Sequence, residues 1–342
     1  MFNSEELLAP VWDTDTMYAE SLTFTEGRSL LMYEPSEIIS FYDSHLQKEF
    51  KPGVDFIIDG RDVLLTENSD IFSFSDEELY PREEIPGKTF PTEKGNLLFM
   101  EGSFFHDRQY AITYKVRKNS WQGHRPSSCS ALLPVTFSKL RRGEKLSITL
   151  FGDSICVGAN ASKFVDAEPY CPPYFELVNT ALTKRYGSHI DFHNPSVGGK
   201  GTTWGVETVE ENVNCRKNDL VVISLGANDG DKNREEFGKN IEKIMTAIRE
   251  KHPQTEFLLI ATSLPNKLLS SDKARFYAEQ YTFTDELDRF VECGVAKADI
   301  TRMQYELLNH KRFIDITANN VNHPNDFFHR MYAQYILGMF EV

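Results

Sequence analysis

Residues 144–342 alternate short apolar runs with longer stretches in which apolar positions recur at helical spacing. Five of the runs predict β-strands: "LSITLF", "HIDFHN", "DLVVISLG", "EFLLIATS" and "GVAKADI". The stretches between and after them predict helices near 173–186, 203–215, 234–251, 276–292, 301–310 and 325–339. Strands that alternate with helices favour an α/β fold, in which helices cover both faces of a parallel sheet.

Residues 1–143 follow a different pattern, in which short predicted strands are separated by turn-rich segments. "QYAITYKVRK" alternates apolar and polar positions, and "DFIIDGRDVLLT" is typical of a β-hairpin with Asp59 and Gly60 at its turn. Further strands are predicted at "SLTFTEG", "SLLMY" and "GNLLFMEG", and no long amphipathic helix is indicated. We therefore predict two domains, a β-sandwich-like domain over 1–143 and an α/β domain over 144–342.

Composition and charge narrow the classes of partner. The chain has 342 residues, of which 40% are hydrophobic, enough for a sizeable core. Its formal charge of −14 comes from 51 acidic and 37 basic residues without a long basic run, so nucleic acid and anionic membranes are poor partners. A neutral substrate suits a chain of this negative charge better than a polyanion does. The first residues lack the apolar segment of a signal peptide, and no stretch is typical of a membrane span.

The cysteines indicate a reducing environment. Five of them are scattered along the chain without close pairs, at positions 129, 156, 171, 215 and 293. Neither a disulfide framework nor a zinc site is indicated by this spacing, and we expect reduced thiols in a cytoplasmic protein.

Ligands of parallel α/β sheets bind at the carboxyl ends of the strands, so the residues that follow each strand matter most. The first strand of the α/β half is followed by Gly152, Asp153 and Ser154. A serine at a sharp strand-to-helix turn can point its hydroxyl group into the cleft, although taken alone this tripeptide is more typical of a helix cap.

Three further polar segments follow later elements of the same half. "NPSVGGKGTTWG" after the second strand has glycines that let backbone N–H groups approach a ligand, and the asparagine of "SLGANDG" after the third can donate its amide to an oxyanion. His323, in "NNVNHPND", lies in a loop ahead of the last helix, whereas His329 falls within helical spacing and is interpreted as structural. Taken alone, each segment is typical of an ordinary loop. Together they supply a nucleophile, oxyanion donors and a base, the groups that acyl transfer requires.

The segments "FGDS", "SVGG", "LGAND" and "NHPND" resemble, in order, the four sequence blocks of the SGNH (GDSL) hydrolases. The resemblance covers 144–342 and implies a flavodoxin-like sheet of five parallel strands in the order 2-1-3-4-5. It implies Ser154 as nucleophile and His323 as base, without a metal or an organic cofactor. The implied oxyanion donors are the Ser154 N–H, the Gly199 N–H and the Asn228 side chain. The front half, in its pattern of short predicted strands and turns, resembles the β-sandwich that precedes the catalytic domain in some bacterial carbohydrate esterases of this superfamily.

One position departs from the family pattern. The family usually places an aspartate three residues before the histidine, and this chain has Asn320 there. Asn320 can still accept a hydrogen bond from the imidazole, a backbone carbonyl can do so, or the protein can work as a Ser-His dyad. Asp326 and Asp315 are substitutes that lie near in sequence. Asp153, beside the serine, is interpreted as structural.

The resulting hypothesis is a serine esterase that hydrolyses short-chain esters, with O-acetylated oligosaccharides as the expected substrate. Trp204, in "TTWG", either lines a sugar-stacking wall or packs in the core. Cys156 is interpreted as a small buried residue rather than a thiol nucleophile. Two alternatives stay open: a lipase or thioesterase that acts on longer acyl chains, and a catalytically weak glycan-binding protein. The sequence does not indicate an oligomeric state.

Overall fold

The computed structural model describes residues 4–118, 120–269 and 279–341. Its front half, within residues 1–143, has short helices α1 (Ser4–Leu7), α2 (Asp76–Leu79) and α3 (Pro134–Arg141). The described strands of this half are β1 (Thr16–Thr23), β2 (Arg28–Leu30), β3 (Glu37–Asp43), β4 (Phe56–Asp59), β5 (Asp62–Leu65), β6 (Thr89–Thr92), β7 (Gly95–Leu98) and β8 (Gln109–Lys115).

The front-half strands form two three-stranded antiparallel sheets and a separate hairpin. The sheet orders are β1-β8-β3 and β2-β5-β4, and β6 pairs with β7. The predicted hairpin is confirmed as β4–β5, with Asp59 opposite Asp62 and Gly60 at a φ of +58°, a left-handed conformation that favours glycine. Phe41 of one sheet packs against Phe56 of the other at a centroid distance of 4.8 Å. These features agree with the predicted sandwich-like region.

The back half contains one parallel sheet. Its strands are β9 (Leu146–Gly152), β10 (Ile190–His193), β11 (Leu220–Ser224), β12 (Glu256–Ala261) and β13 (Val295–Asp299). They lie in the order β10-β9-β11-β12-β13, all parallel, which confirms the expected flavodoxin-like order 2-1-3-4-5. Every residue of β11 and β12 is buried, because helices cover both faces of the sheet. This burial explains why the strands appear in the sequence as apolar runs.

The helices of the back half agree with the sequence prediction at most positions. They are α4 (Ser154–Val157), α5 (Tyr174–Tyr186), α6 (Thr202–Asn212), α7 (Arg234–Lys251), α8 (Phe283–Leu287), α9 (Ile300–His310) and α10 (Asp326–Met339). Asn233 and Asn325 cap α7 and α10 by accepting backbone N–H groups of the first turn. The predicted helix near 276–292 begins outside the described residues and continues as α8 between two 3₁₀ turns. No helix within the described ranges is long and apolar enough to cross a membrane.

Contacts between the two halves are extensive and polar as well as apolar. The predicted domain boundary lies between α3 and β9, and the main cluster of buried apolar side chains continues across it. Lys311, which follows α9, forms an ion pair of 2.8 Å with Glu20 of β1, and both side chains are fully buried. Glu20 also accepts hydrogen bonds from the Met32 N–H and the Tyr114 hydroxyl group. The ion pair attaches the front half to the segment that leads to His323, and the bonds from Met32 and Tyr114 hold Glu20 in place.

Candidate active site

Ser154 lies at the tight turn between strand β9 of the parallel sheet and helix α4. β9 ends at Gly152, where an added Cβ would lie 2.3 Å from Cys156 Sγ and 2.5 Å from the Ser224 carbonyl oxygen. Only glycine fits there without a shift of backbone. The next residue, Asp153, is fully buried and caps α4 by accepting the Ile155 N–H. Together these constraints place Ser154 at the first residue of α4, at the carboxyl end of β9.

The loop before α10 holds His323 by hydrogen bonds to its backbone. The Asn319 side-chain oxygen accepts three successive N–H groups, those of Val321, Asn322 and His323. The Thr317 hydroxyl group and the Ala318 N–H both donate to the His323 carbonyl oxygen. Because its backbone is bonded on both sides, His323 has a fixed position relative to the sheet edge.

The structure brings the predicted nucleophile and base into contact. His323 Nε2 lies 2.9 Å from Ser154 Oγ, and the two residues are 9% and 8% exposed. On the other side of the ring, Nδ1 lies 2.6 Å from Asn160 Oδ1 and 3.5 Å from Glu101 Oε2. The imidazole is therefore held between a hydroxyl group and two oxygen acceptors.

The contacts of Asn160 determine which ring nitrogen carries the proton. Its amide nitrogen donates to the Gly102 carbonyl oxygen at 2.9 Å, so its oxygen is the atom that faces His323. An amide oxygen only accepts hydrogen bonds, and therefore Nδ1 of His323 is the protonated nitrogen. Nε2 then presents its lone pair to the Ser154 hydroxyl group, which is the arrangement that a general base needs.

Glu101 brings a carboxylate from the front half to the same ring. Its Oε1 accepts a hydrogen bond of 3.4 Å from the Asn319 side chain, and the side chain is 51% exposed. Burial acts to raise the pKa of Glu101, but hydrogen bonding and electrostatic interaction with His323, and hydrogen bonds from the side chains of Asn319 and Asn160, lower the pKa below its ordinary value. Glu101 is consequently ionised at neutral pH.

Two of the three expected oxyanion donors, Gly199 and Asn228, lie on loops that are hydrogen-bonded to each other. A Cβ added at Gly198 would lie 3.6 Å from Ser154 Cβ, so the glycine loop passes close to the nucleophile, and Gly199 has a φ of +73°. The Asn228 amide nitrogen donates to the Lys200 carbonyl oxygen at 3.2 Å. Buried Asp229 next to it accepts both the N–H and the hydroxyl group of Thr202. Asn228 is thus attached to the glycine loop.

The two residues predicted as possible histidine-orienting groups have other partners. Asn320 donates to the Leu98 carbonyl oxygen at 3.1 Å and accepts from the Asn266 side chain. Asp326 accepts the Ser162 N–H at 2.8 Å. The hydrogen bonds of the His323 ring go instead to the side chains described above, which corrects the expectation that Asn320 or Asp326 supplies them. The further substitute, Asp315, is fully buried and pairs with Arg312.

Three other side chains singled out in the sequence lie in packed surroundings. Cys156 Sγ is 3.2 Å from the Tyr174 hydroxyl group, and burial raises the pKa of its thiol to about 12. Trp204 packs against Phe151 at 5.0 Å, beside one of the core clusters. His329 is fully buried, and burial lowers its pKa to about 3, so it is uncharged at neutral pH.

Sequence reasoning missed Asn160 and Glu101. Asn160 follows the first motif within the same ten residues, and its φ of +66° is one that asparagine adopts more readily than most residues. Glu101 has no local signal, because its position beside His323 depends on how the halves pack. Within the described residues, no group of three His, Cys, Asp or Glu side chains is arranged to hold a metal ion.

Comparisons with known proteins place the chain among known families and folds. The GDSL-like Lipase/Acylhydrolase family model matches residues 150–331, whereas no curated protein sequence matches the chain. Among solved structures, a two-domain esterase active on acetylated mannans is 20% identical with a TM-score of 0.48, covering 64% of this chain and 54% of its own. A mutant of an acetyl-xylooligosaccharide esterase from Geobacillus is 16% identical with a TM-score of 0.47, covering 58% of this chain and 94% of its own. The chain thus spans about half the length of the mannan esterase.

Proposed function

Because the chain belongs to the GDSL-like lipase/acylhydrolase family, we propose that it is a serine esterase with Ser154 as nucleophile and His323 as general base. The observation that carries this proposal is the chain of contacts from Asn160 through His323 to Ser154, at 2.6 and 2.9 Å. It combines a hydroxyl nucleophile with a base whose proton-accepting nitrogen faces that hydroxyl group.

The reaction follows from these positions. His323 Nε2 takes the hydroxyl proton while Ser154 Oγ attacks the ester carbonyl carbon. The tetrahedral intermediate collapses, the leaving alcohol takes the proton from Nε2, and the acyl group stays on Ser154. A water molecule then loses its proton to Nε2 and attacks the acyl carbon. The bond between that carbon and Ser154 Oγ breaks, Oγ takes the proton from Nε2, and the acid is released. His323 returns to its starting protonation state at the end of the cycle.

The oxyanion donors proposed are the Ser154 N–H, the N–H of the glycine loop at Gly199, and the Asn228 amide. Asn228 has two amide hydrogens, and one of them is used on the Lys200 carbonyl oxygen. That bond fixes the orientation of the amide and leaves the second hydrogen for the substrate oxygen. A donor that is oriented before the reaction lowers the barrier, because no reorganisation is needed when the charge develops.

The substrate class proposed is a short acyl ester on a neutral oligosaccharide, with acetyl as the acyl group. A Cβ added at Gly198 would lie 3.6 Å from Ser154 Cβ, so the glycine loop forms one wall beside the nucleophile, and we expect a small acyl group there. The segment after Asn160, which Asp326 attaches near His323, carries the exposed rings of Phe164 and Tyr170, and aromatic faces of this kind stack on sugar rings. The net charge of −14 favours a neutral substrate over an anionic one.

Ser154→Ala tests the nucleophile. We expect it to abolish hydrolysis of p-nitrophenyl acetate without loss of the fold, because the hydroxyl group is the only part removed. A fluorophosphonate probe should label the wild type at Ser154 and should not label this variant. Ser36→Ala is the matched control, since Ser36 is an exposed serine of the front half, outside the segments that supply the proposed catalytic groups, and it should keep both labelling and turnover.

Acyl and acceptor preference test the substrate class. We expect acetyl esters to be cleaved faster than octanoyl esters, and acetate to be released from acetylated xylo- or manno-oligosaccharides. Labelling at Cys156, or unchanged turnover in Ser154→Ala, would contradict the mechanism. A preference for octanoyl esters would favour a lipase or thioesterase. Glycan binding without hydrolysis would favour the alternative of a catalytically weak glycan-binding protein.

A further inference from the structure

We propose that Glu101 supplies the negative charge that stabilises protonated His323 during the reaction, so that the front half completes the active site. This inference rests on the proposed function, because it assigns the counter-charge of the same base. Glu101 is a positioning residue: its carboxylate faces the ring of His323 rather than the substrate.

The geometry places this carboxylate on the correct side of the ring. Glu101 Oε2 lies 3.5 Å from Nδ1 of His323, the nitrogen that keeps its proton throughout the cycle. Nε2, on the opposite side, gains the serine proton, and the ring then carries one positive charge. A carboxylate near Nδ1 stabilises this charge without competing for the proton at Nε2.

The segment that carries Glu101 also controls Asn160. Gly102, the next residue, accepts the Asn160 amide N–H, and Glu101 itself accepts a hydrogen bond from Asn319 in the histidine loop. Two successive front-half residues therefore act on His323 in different ways. Gly102 fixes the tautomer through Asn160, and Glu101 adds the charge that neither Asn160 nor Asn320 has.

The expected size of the effect follows from exposure and from the remaining contacts. In serine proteases, replacement of the buried aspartate by asparagine costs about ten-thousand-fold in kcat, because the correct histidine tautomer and the counter-charge are lost together. Here Asn160 keeps the orientation, and Glu101 is 51% exposed, so solvent screens its charge. We therefore expect loss of the Glu101 charge to reduce kcat by about tenfold.

Glu101→Gln is the test, because it removes the charge and keeps an oxygen acceptor for Asn319. The expected result is a kcat on p-nitrophenyl acetate that is lower by about tenfold, with KM nearly unchanged. The acidic limb of the pH profile of kcat/KM should move to lower pH, because loss of a nearby negative charge disfavours the protonated ring. Glu67→Gln is the control: it removes an equal charge from an exposed front-half position and should leave the profile unmoved.

A rescue experiment separates charge from structure. In the Glu101→Gln background, Asn160→Asp returns a carboxylate to the Nδ1 side, and the acidic limb should move back to higher pH. The position of this limb does not depend on how much of the sample is folded, so a partly unfolded variant still gives a result. If Glu101→Gln changes neither the acidic limb of the pH profile nor kcat, while Ser154→Ala is inactive, the role of Glu101 is overturned and the proposed esterase activity is not. Full activity in Ser154→Ala would overturn both.

Discussion

Asn160 is the residue whose removal tests the hydrogen-bonding chain most directly. The substitution is Asn160→Gly, because Asn160 has a φ of +66°, and glycine adopts this conformation without strain. It deletes the oxygen that lies 2.6 Å from His323 Nδ1 and the amide that donates to Gly102. The nearest remaining acceptor is Glu101, at 3.5 Å.

The magnitude follows from the lost partner of a buried donor. A buried N–H without a good acceptor costs about 1–3 kcal/mol, and the cost falls on the tautomer that is protonated at Nδ1. Each 1.4 kcal/mol is about a tenfold change in an equilibrium, so the population of the competent tautomer falls by about five- to 140-fold. Glu101 partly replaces the acceptor, and we expect kcat/KM to fall by about tenfold to thirtyfold.

The assay is kcat/KM on p-nitrophenyl acetate across pH, together with thermal denaturation. Asn160→Ala is the matched comparison: it removes the same groups and adds backbone strain of about 1 kcal/mol or more at a left-handed position. The two variants should lose similar activity, and the alanine variant should melt at a lower temperature. Wild-type activity in Asn160→Gly would refute the argument that Asn160 selects the tautomer.

Two further substitutions test buried side chains beside the site. Burial raises the pKa of Asp153 to about 7, so between about pH 4 and pH 7 the folded state holds a proton that the unfolded state has released, and stability falls as pH rises. Asp153→Asn should lack this pH dependence. Measured by urea unfolding, the stability of the variant relative to wild type should therefore rise by roughly 3 kcal/mol between about pH 4 and pH 7. A difference in stability that does not change with pH would contradict the raised pKa. Asn320→Asp restores the acid that the family usually has, yet it should leave the acidic limb of the pH profile unmoved, because position 320 contacts Leu98 and Asn266. It should also lower the melting temperature, since it turns a buried carboxylate toward a carbonyl oxygen.

The fold was largely predictable because its elements are locally encoded. The strands of the parallel sheet are buried on both faces, so their sequences are apolar enough to locate each one to within a few residues. Helices α7 and α10 have asparagine caps, which mark their starts in the sequence. α3 was not predicted; it begins with a proline, without a side-chain cap, in a segment that was interpreted as β-rich.

The site was predictable only where its residues belong to motifs. Ser154 and His323 lie in recognisable segments at the ends of α/β units, and the structure brings them to 2.9 Å. Asn160 is 163 residues from His323 in sequence, and Glu101 comes from the other half of the chain. Their positions depend on long-range packing, which one sequence does not encode at any single position. Asn320 is the opposite case. Its place in the motif suggested a hydrogen bond to the His323 ring, but its backbone adopts a left-handed conformation and its side chain bonds to Leu98 instead.

The buried ion pair of Glu20 and Lys311 limits how this protein can be recombined with its relatives. Removal of one partner of such a pair typically costs about 3–5 kcal/mol, because the other charge is left buried, whereas replacement of both by apolar residues is often tolerated. A chimera that takes its front half from a relative without an acid at position 20 would therefore leave buried Lys311 to the more distant carboxylate of Asp315, at 3.9 Å. Positions 20 and 311 can therefore be exchanged only together, so a new front half packs stably on the old back half only if it also carries a partner for Lys311.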